Sequence, residues 1–219
     1  MTTVAVVGAH GQIGQLLVRL LAERGDTVLG IVRGAEQCEV IENLGGRGVL
    51  ADVETTDADH LAHAMGGADA VVFVAGAGPG SGPIRKRTVD YGGSVLSALA
   101  AQAAGIRRFV QLSAVGVDEP LADDADESWA AYVEAKRDAD AELRASDLAW
   151  TIQRPGGLTD DPGTGRVSLG PHVGRGSIPR ADVAAVLVAL LDDDRSIGAQ
   201  WVARSGETPI DEAVGAALE

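Results

Sequence analysis

The stretch VAVVGAHGQIGQLLVRLLAERG, residues 4 to 25, decides the fold. Val4 to Val7 is a short apolar run of strand type. Gly8, Gly11 and Gly14 follow at a spacing of three, and Ile13, Leu16, Leu17, Leu20 and Leu21 recur at helical spacing. Strand, tight turn and helix therefore succeed one another directly. In such a turn Gly8 permits the sharp bend, Gly11 lets the backbone approach a pyrophosphate, and Gly14 lets the helix pack against the strand. The amides that open the helix, together with its dipole, make the bend an anion site. At the head of an alternating chain, this reads as a dinucleotide-binding turn.

Working outward, β-branched runs alternate with alanine- and leucine-rich segments: TVLGIV (27 to 32), GVLA (48 to 51), AVVFV (70 to 74), RFVQL (108 to 112) and AWTIQ (149 to 153). With VAVV they make six strands joined by helices, which predicts a parallel sheet. The strands lack polar alternation, as expected when helices cover both faces. The expectation is an α/β fold of Rossmann type: a doubly wound parallel sheet flanked by helices, with its crevice at the strand carboxyl ends. After Arg154 come a loop, PGGLTDDPGTG (155 to 165), a helix from near Arg180, a short strand AQWVAR, and a last helix from about Pro209. One domain over residues 1 to 219 is expected, with a core of about 2 to 155 and a small substrate-side segment of about 156 to 219. Gly25, Gly105 and Gly198 stand where helices should end, a place for left-handed caps.

The 219 residues carry 32 acidic and 18 basic side chains, a net charge of −14. Such a surface repels a phosphate backbone, so nucleic acid is not an expected partner. The single cysteine, Cys38, leaves no internal disulfide framework. The N-terminus shows no basic leader, and the longest apolar stretch, Val183 to Leu191, is far short of a membrane span. A cytoplasmic protein that binds a small molecule, without membrane or metal, is expected; oligomeric state is not legible. The acidic run DEPLADDADE (118 to 127) reads as a solvated segment. His60 and His63, beside Asp57 and Asp59, have helical metal spacing but no further ligand cluster.

The second strand ends in Arg33, where NAD-preferring folds place a carboxylate for the ribose 2′-hydroxyl. A guanidinium there can pair with a 2′-phosphate. A charge-assisted contact of about 1.5–3 kcal/mol gives roughly ten- to hundredfold preference, so NADP(H) is the expected cofactor, NADPH over NADH. The third strand ends LADV, putting Asp52 and Val53 where an adenine edge meets a carboxylate and an amide. After the fourth strand, AGAGPGSGP (75 to 83) brings glycine-rich backbone close to the cofactor.

Beyond these lie TVDYGGSVLSALAAQAAGIRRFVQLSAVGVD, YVEAKRDADAELRASDLAWTIQRPGGLTDDPGTG and SIPRADVA. In this order the motifs closely resemble the atypical short-chain dehydrogenase/reductase family, in its small NAD(P)H-binding, epimerase/dehydratase-like branch, over about Thr2 to Leu190. The resemblance implies a cofactor lying across Gly8 to Gly14, with His10, Gln12 and Ile13 inside that loop, and along Arg33, Asp52, Ala75, Gly76, Ala77, Lys136 and the Pro155–Gly156 turn. It also singles out Tyr132 and Lys136, four apart on one helix face, and Ser113 at the end of the fifth strand. Moving a phenol from about 10 towards 7 takes about 4 kcal/mol. An ammonium about 4 Å away supplies that at an effective dielectric of about 20, so Lys136 is expected to lower Tyr132. Tyr132 would donate a proton while Ser113 steadies the oxygen.

Departures are visible too. The family's relay asparagine is missing: the only asparagine is Asn43, and the expected helix offers Asp90, Tyr91 and Ser94. Ser113 is followed by Ala114. Arg85, Lys86 and Arg87 are near the crevice, where they could meet an anionic substrate or a cofactor phosphate, with a solvated helix start the plainer reading; Trp129, Trp150 and Trp201 could line a pocket, with core packing the plainer reading. The leading reading is an NADPH-dependent reductase of a small carbonyl, quinone or flavin-like acceptor. A nucleotide-sensing regulator and an epimerase or dehydratase are the alternatives.

Overall fold

The computed structural model describes residues 1–122 and 124–218; Asp123, inside the acidic run, and Glu219 lie outside the described residues. Val4 and Val6 of strand β1 (Thr3–Val7) point into one apolar cluster, with Ala5 and Val7 into another on the opposite face. That explains the unbroken apolar runs: alternate side chains face opposite ways, and both faces are covered. The first layer holds α1 (Gln12–Glu23), which packs Leu17, Val18 and Leu21 against the sheet.

Strand β2 (Thr27–Val32), helix α2 (Ala35–Asn43), strand β3 (Arg47–Leu50), helix α3 (Ala58–Ala64) and strand β4 (Ala70–Phe73) follow. Next comes one long helical segment: α4 (Gly82–Arg85), a π-helical stretch Lys86–Gly93, then α5 (Ser94–Ala103). Strand β5 (Arg108–Leu112), helix α6 (Glu127–Ala145) and strand β6 (Ala149–Pro155) complete the expected core. β1 is paired in parallel with β2 on one side and β4 on the other, Val7 standing opposite both Ile31 and Phe73. The chain thus winds away from β1 in two directions, and the crevice opens at that switch point.

The C-terminal part extends the sheet. β7 (Gly157–Thr159) pairs with β9 (Ser177–Pro179) in a small separate sheet. β8 (Arg166–Gly170) runs antiparallel to β10 (Gln200–Ser205), while β10 is parallel to β6. Between them α7 (Arg180–Asp192) covers the α1 face, and β11 (Thr208–Pro209) and α8 (Ile210–Ala217) close the chain. The nine strands lie in the order β11-β8-β10-β6-β5-β4-β1-β2-β3. The expected parallel core is present, but the expected loop over 155 to 165 contains β7, and β8, β9 and β11 were not anticipated. Their two to five residues are too short to show a period. Gly25 and Gly105 follow α1 and α5 with positive φ, as caps require, whereas Gly198, also at positive φ, stands six residues beyond the end of α7 and donates to the Trp150 carbonyl instead. Among the described residues no helix is long and apolar enough to cross a membrane.

Candidate active site

At the head of β1, Gly8 has φ +87°, and a Cβ there would stand 2.5 Å from the Cα of Ala75. Only glycine fits, because the turn leaves β1 against the loop after β4. At Gly14 a Cβ would stand 2.4 Å from the Gly8 carbonyl oxygen, so this glycine lets α1 seat on the turn. Gly11 precedes α1 with no side chain capping the helix, leaving the first-turn amides available to an anion. Gln15 Nε2 donates to the His10 carbonyl (2.7 Å), which fixes the loop from inside.

The loops converge on one cleft of ≈ 760 Å³, a size suited to a cofactor. Its wall includes Gly8, His10, Gly11, Gln12, Ile13, Arg33, Asp52, Val53, Ala75, Gly76, Ala77, Ser113, Tyr132, Lys136, Pro155 and Gly156. Gly14 is not on that wall; its role is the helix seat just described. At one end Arg33 is exposed after β2, and the Asp52 carboxylate accepts from the Glu54 amide (3.0 Å). Glu54, unremarked in the sequence, accepts from Arg85 Nε (3.2 Å) and Thr88 Oγ1 (2.6 Å). Those two hydrogen bonds, with Arg33 nearby, hold its carboxyl below the usual range. A second guanidinium, that of Arg85, therefore stands at the same rim. At the turn beyond β6, a Cβ on Gly156 would lie 2.2 Å from the Gly176 carbonyl oxygen.

At the other end, Tyr132 and Lys136 lie one helical turn apart on α6, as their spacing predicts. Lys136 is buried, donates to the Leu112 carbonyl (3.1 Å), and pairs with Asp90 (3.4 Å). Asp90 comes from the π-helical stretch, a geometry frequent at functional sites. Its other carboxylate oxygen accepts from the Ala77 amide (3.1 Å), tying the loop after β4 to the helix. Burial disfavours the Lys136 ammonium, but Asp90, Tyr132 and Asp140 together hold it above the usual lysine value.

The expected lowering of Tyr132 is not what the structure gives. Burial pushes the phenol above its ordinary value; Lys136 opposes this, while the carboxylates of Asp90 and Asp140 reinforce it. An ammonium alone would lower the phenol; burial and the two carboxylates outweigh it. Held this way, Tyr132 carries its proton at neutral pH and is equipped to donate it.

Ser113 also differs from expectation. Its hydroxyl donates to Asp140 (2.8 Å), so that proton is already committed. Asp140 further accepts from Gln111 Nε2 (2.8 Å) and from Arg154 Nε and Nη2 (2.9 and 2.7 Å), and Arg154 continues to Asp118. Ser94 donates to Gln111 (2.5 Å). Asp140, Gln111 and Arg154 were missed, yet polar residues within otherwise apolar strands, and a carboxylate one turn beyond Lys136, were the available signals. The basic triplet is likewise not simply solvated: Arg85 pairs with Glu54, Arg87 with Asp138, and Lys86 is buried. Trp201 packs in the core, whereas Trp129 is exposed on the cleft wall. Asp57 accepts from the His60 amide and caps α3.

The donor set suits a dinucleotide: an uncapped helix start and glycine cradle at the middle, guanidinium groups at one end, and a tyrosine–lysine pair at the other. The NAD(P)H-binding family matches residues 8–194. The chain is 39% identical over 212 residues to the uncharacterized sugar epimerase YhfK of Bacillus subtilis (strain 168), covering 96% of this chain and 98% of that protein. It is 31% identical over 225 residues to a 3-diazoavenalumate denitrifying reductase of a Streptomyces species, covering 93% of this chain and 72% of that one. A solved structure from Bacillus halodurans, assigned to the NAD-dependent epimerase/dehydratase class, superposes with a TM-score of 0.91 at 36% identity, over 99% of this chain and 100% of its own. Glycine cradle, sheet order and these likenesses agree, and the chain belongs to the NAD(P)H-binding family.

Proposed function

We propose that this protein is an NADPH-dependent reductase of a small carbonyl, quinone or flavin-like acceptor. The observation that carries the reading is Tyr132: a phenol held protonated on the wall of the cofactor cleft, one turn from an anchored ammonium. When bound, the reduced nicotinamide supplies the hydride. For a carbonyl acceptor, Tyr132 gives its proton to the oxygen that takes up the electron pair of the C=O bond. Lys136, fixed by Asp90 and the Leu112 carbonyl, stabilises the phenolate left behind. Solvent restores the proton. Arg33, exposed on the cleft wall, supports preference for the 2′-phosphate, and kinship with the Streptomyces reductase supports reduction as the chemistry. The test is titration with NADPH and NADH at matched salt, then NADPH consumption with quinones, flavins and aldehydes. Tyr132→Phe should abolish turnover while binding persists; turnover unaffected by that change refutes the mechanism.

The committed Ser113 hydroxyl favours a second reading, a regulator that binds the nucleotide without consuming it. Equal affinity for oxidised and reduced cofactor with no turnover on any acceptor selects it.

A further inference from the structure

Lys86 is nine-tenths buried on the cleft wall, yet its ammonium makes one hydrogen bond, to the Gly78 carbonyl (2.7 Å). Among the described residues, no carboxylate stands within ion-pair distance of it. Its Nζ lies 5.3 Å from the centre of the Tyr132 ring. An ammonium has three donors, and burying one without a counter-ion is costly. Lys136, by contrast, has Asp90. Beside Tyr132 the cleft also keeps large apolar surface open: Trp129 is 54% exposed, its ring centre 5.5 Å from that of Tyr132, and Leu158 on β7 is 39% exposed. Large apolar side chains around a concave wall mark a ligand surface.

We infer that Lys86 is a specificity-determining residue that reads an anionic oxygen of the substrate, and that the acceptor is a planar, ring-bearing carbonyl compound carrying a carboxylate. The ring rests on the Trp129 and Leu158 surface while the carboxylate takes the unspent donors of Lys86. This deepens the reductase reading and rests on it for the reacting group, but the anion preference is a binding property that can be measured alone.

The probes are 4-formylbenzoate and its methyl ester, which share the ring and aldehyde and differ in charge. Binding to the NADP⁺-loaded protein is followed by calorimetry and tryptophan fluorescence. Wild type should bind the acid at least about tenfold more tightly than the ester. Lys86→Met should bring the acid down to the ester's affinity while leaving ester and NADP⁺ affinities within about twofold, and Lys86→Arg should keep the preference. NADP⁺ affinity also reports whether the variants are folded. The inference is overturned if wild type does not favour the acid, if neither probe binds, if Lys86→Met preserves the preference, or if that variant instead loses NADP⁺. Should wild type bind no nicotinamide nucleotide, the reductase reading fails separately, and the same acid-to-ester comparison on the nucleotide-free protein decides the role of Lys86.

Discussion

Replacing Asp90 by asparagine keeps an acceptor for the Ala77 amide but removes the charge facing Lys136. At 3.4 Å, unit charges interact by about 5 kcal/mol at an effective dielectric of about 20. Removing one partner of a buried pair strands the other, and with the Ala77 hydrogen bond and the Leu112 carbonyl retained the net loss should be about 2–4 kcal/mol at pH 7. Urea unfolding measures it. The same change should free the field of Lys136 to act on Tyr132, so the phenol should titrate lower than in wild type. The chain has two tyrosines, Tyr91 and Tyr132, so phenolate absorbance near 295 nm, with Tyr132→Phe for assignment, resolves the shift. The sign of the linkage is fixed. A raised phenol contributes stability that is present below its unfolded value of about 10 and lost as pH rises through the native one, and Asp90→Asn should shrink that alkaline term. A Tyr132 midpoint unmoved by the substitution would refute the claim that the Asp90 carboxylate reinforces burial in raising the phenol.

Other outcomes are equally specific. Gly8→Ala forces a side chain to φ +87° and towards the Ala75 backbone; about 3 kcal/mol of stability should be lost in chemical denaturation, together with nucleotide binding. Arg33→Ala should weaken NADPH binding by about ten- to hundredfold and NADH by less than about twofold, read by calorimetry. The hydrogen bonds from Arg85 and Thr88 hold Glu54 below its usual value, so its contribution is present above the unfolded carboxylate value of about 4.3 and lost as pH falls through the lower native one. Glu54→Gln should flatten that acid limb in melts between about pH 5 and 2. Arg154→Met should cost about 3–5 kcal/mol by stranding Asp140, and Arg154→Met with Asp140→Asn together should cost less than the sum.

The glycine turn of the cleft was legible because its geometry is local. Gly8, Gly11 and Gly14 lie within one turn, and what they do follows from missing Cβ atoms rather than distant partners. Tyr132 and Lys136 were legible for the same reason, being neighbours on one helix. The charge around them was not. Asp90 reaches Lys136 from the segment after β4, and Asp140, Gln111, Ser94 and Arg154 meet from four different elements. Sequence order shows Gln111 and Arg154 as polar residues in apolar strands, but not which partners answer them. The direction of the Tyr132 shift was misjudged on that account. The short strands β7 and β9 depend on pairing with each other, a tertiary event that no three-residue pattern announces.

The close approach of Gly8 to Ala75 makes two loops far apart in the chain a single mechanical part. An insertion or a bulkier residue in either should displace both, so the glycine turn and the wall facing it are inherited or lost together. Arg33 sits outside that joint, exposed just after β2. If Arg33 reads the 2′-phosphate as proposed, exchanging one nucleotide for the other is a change of a single exposed side chain, whereas redesign of the glycine turn must rebuild two crossings of the sheet at once.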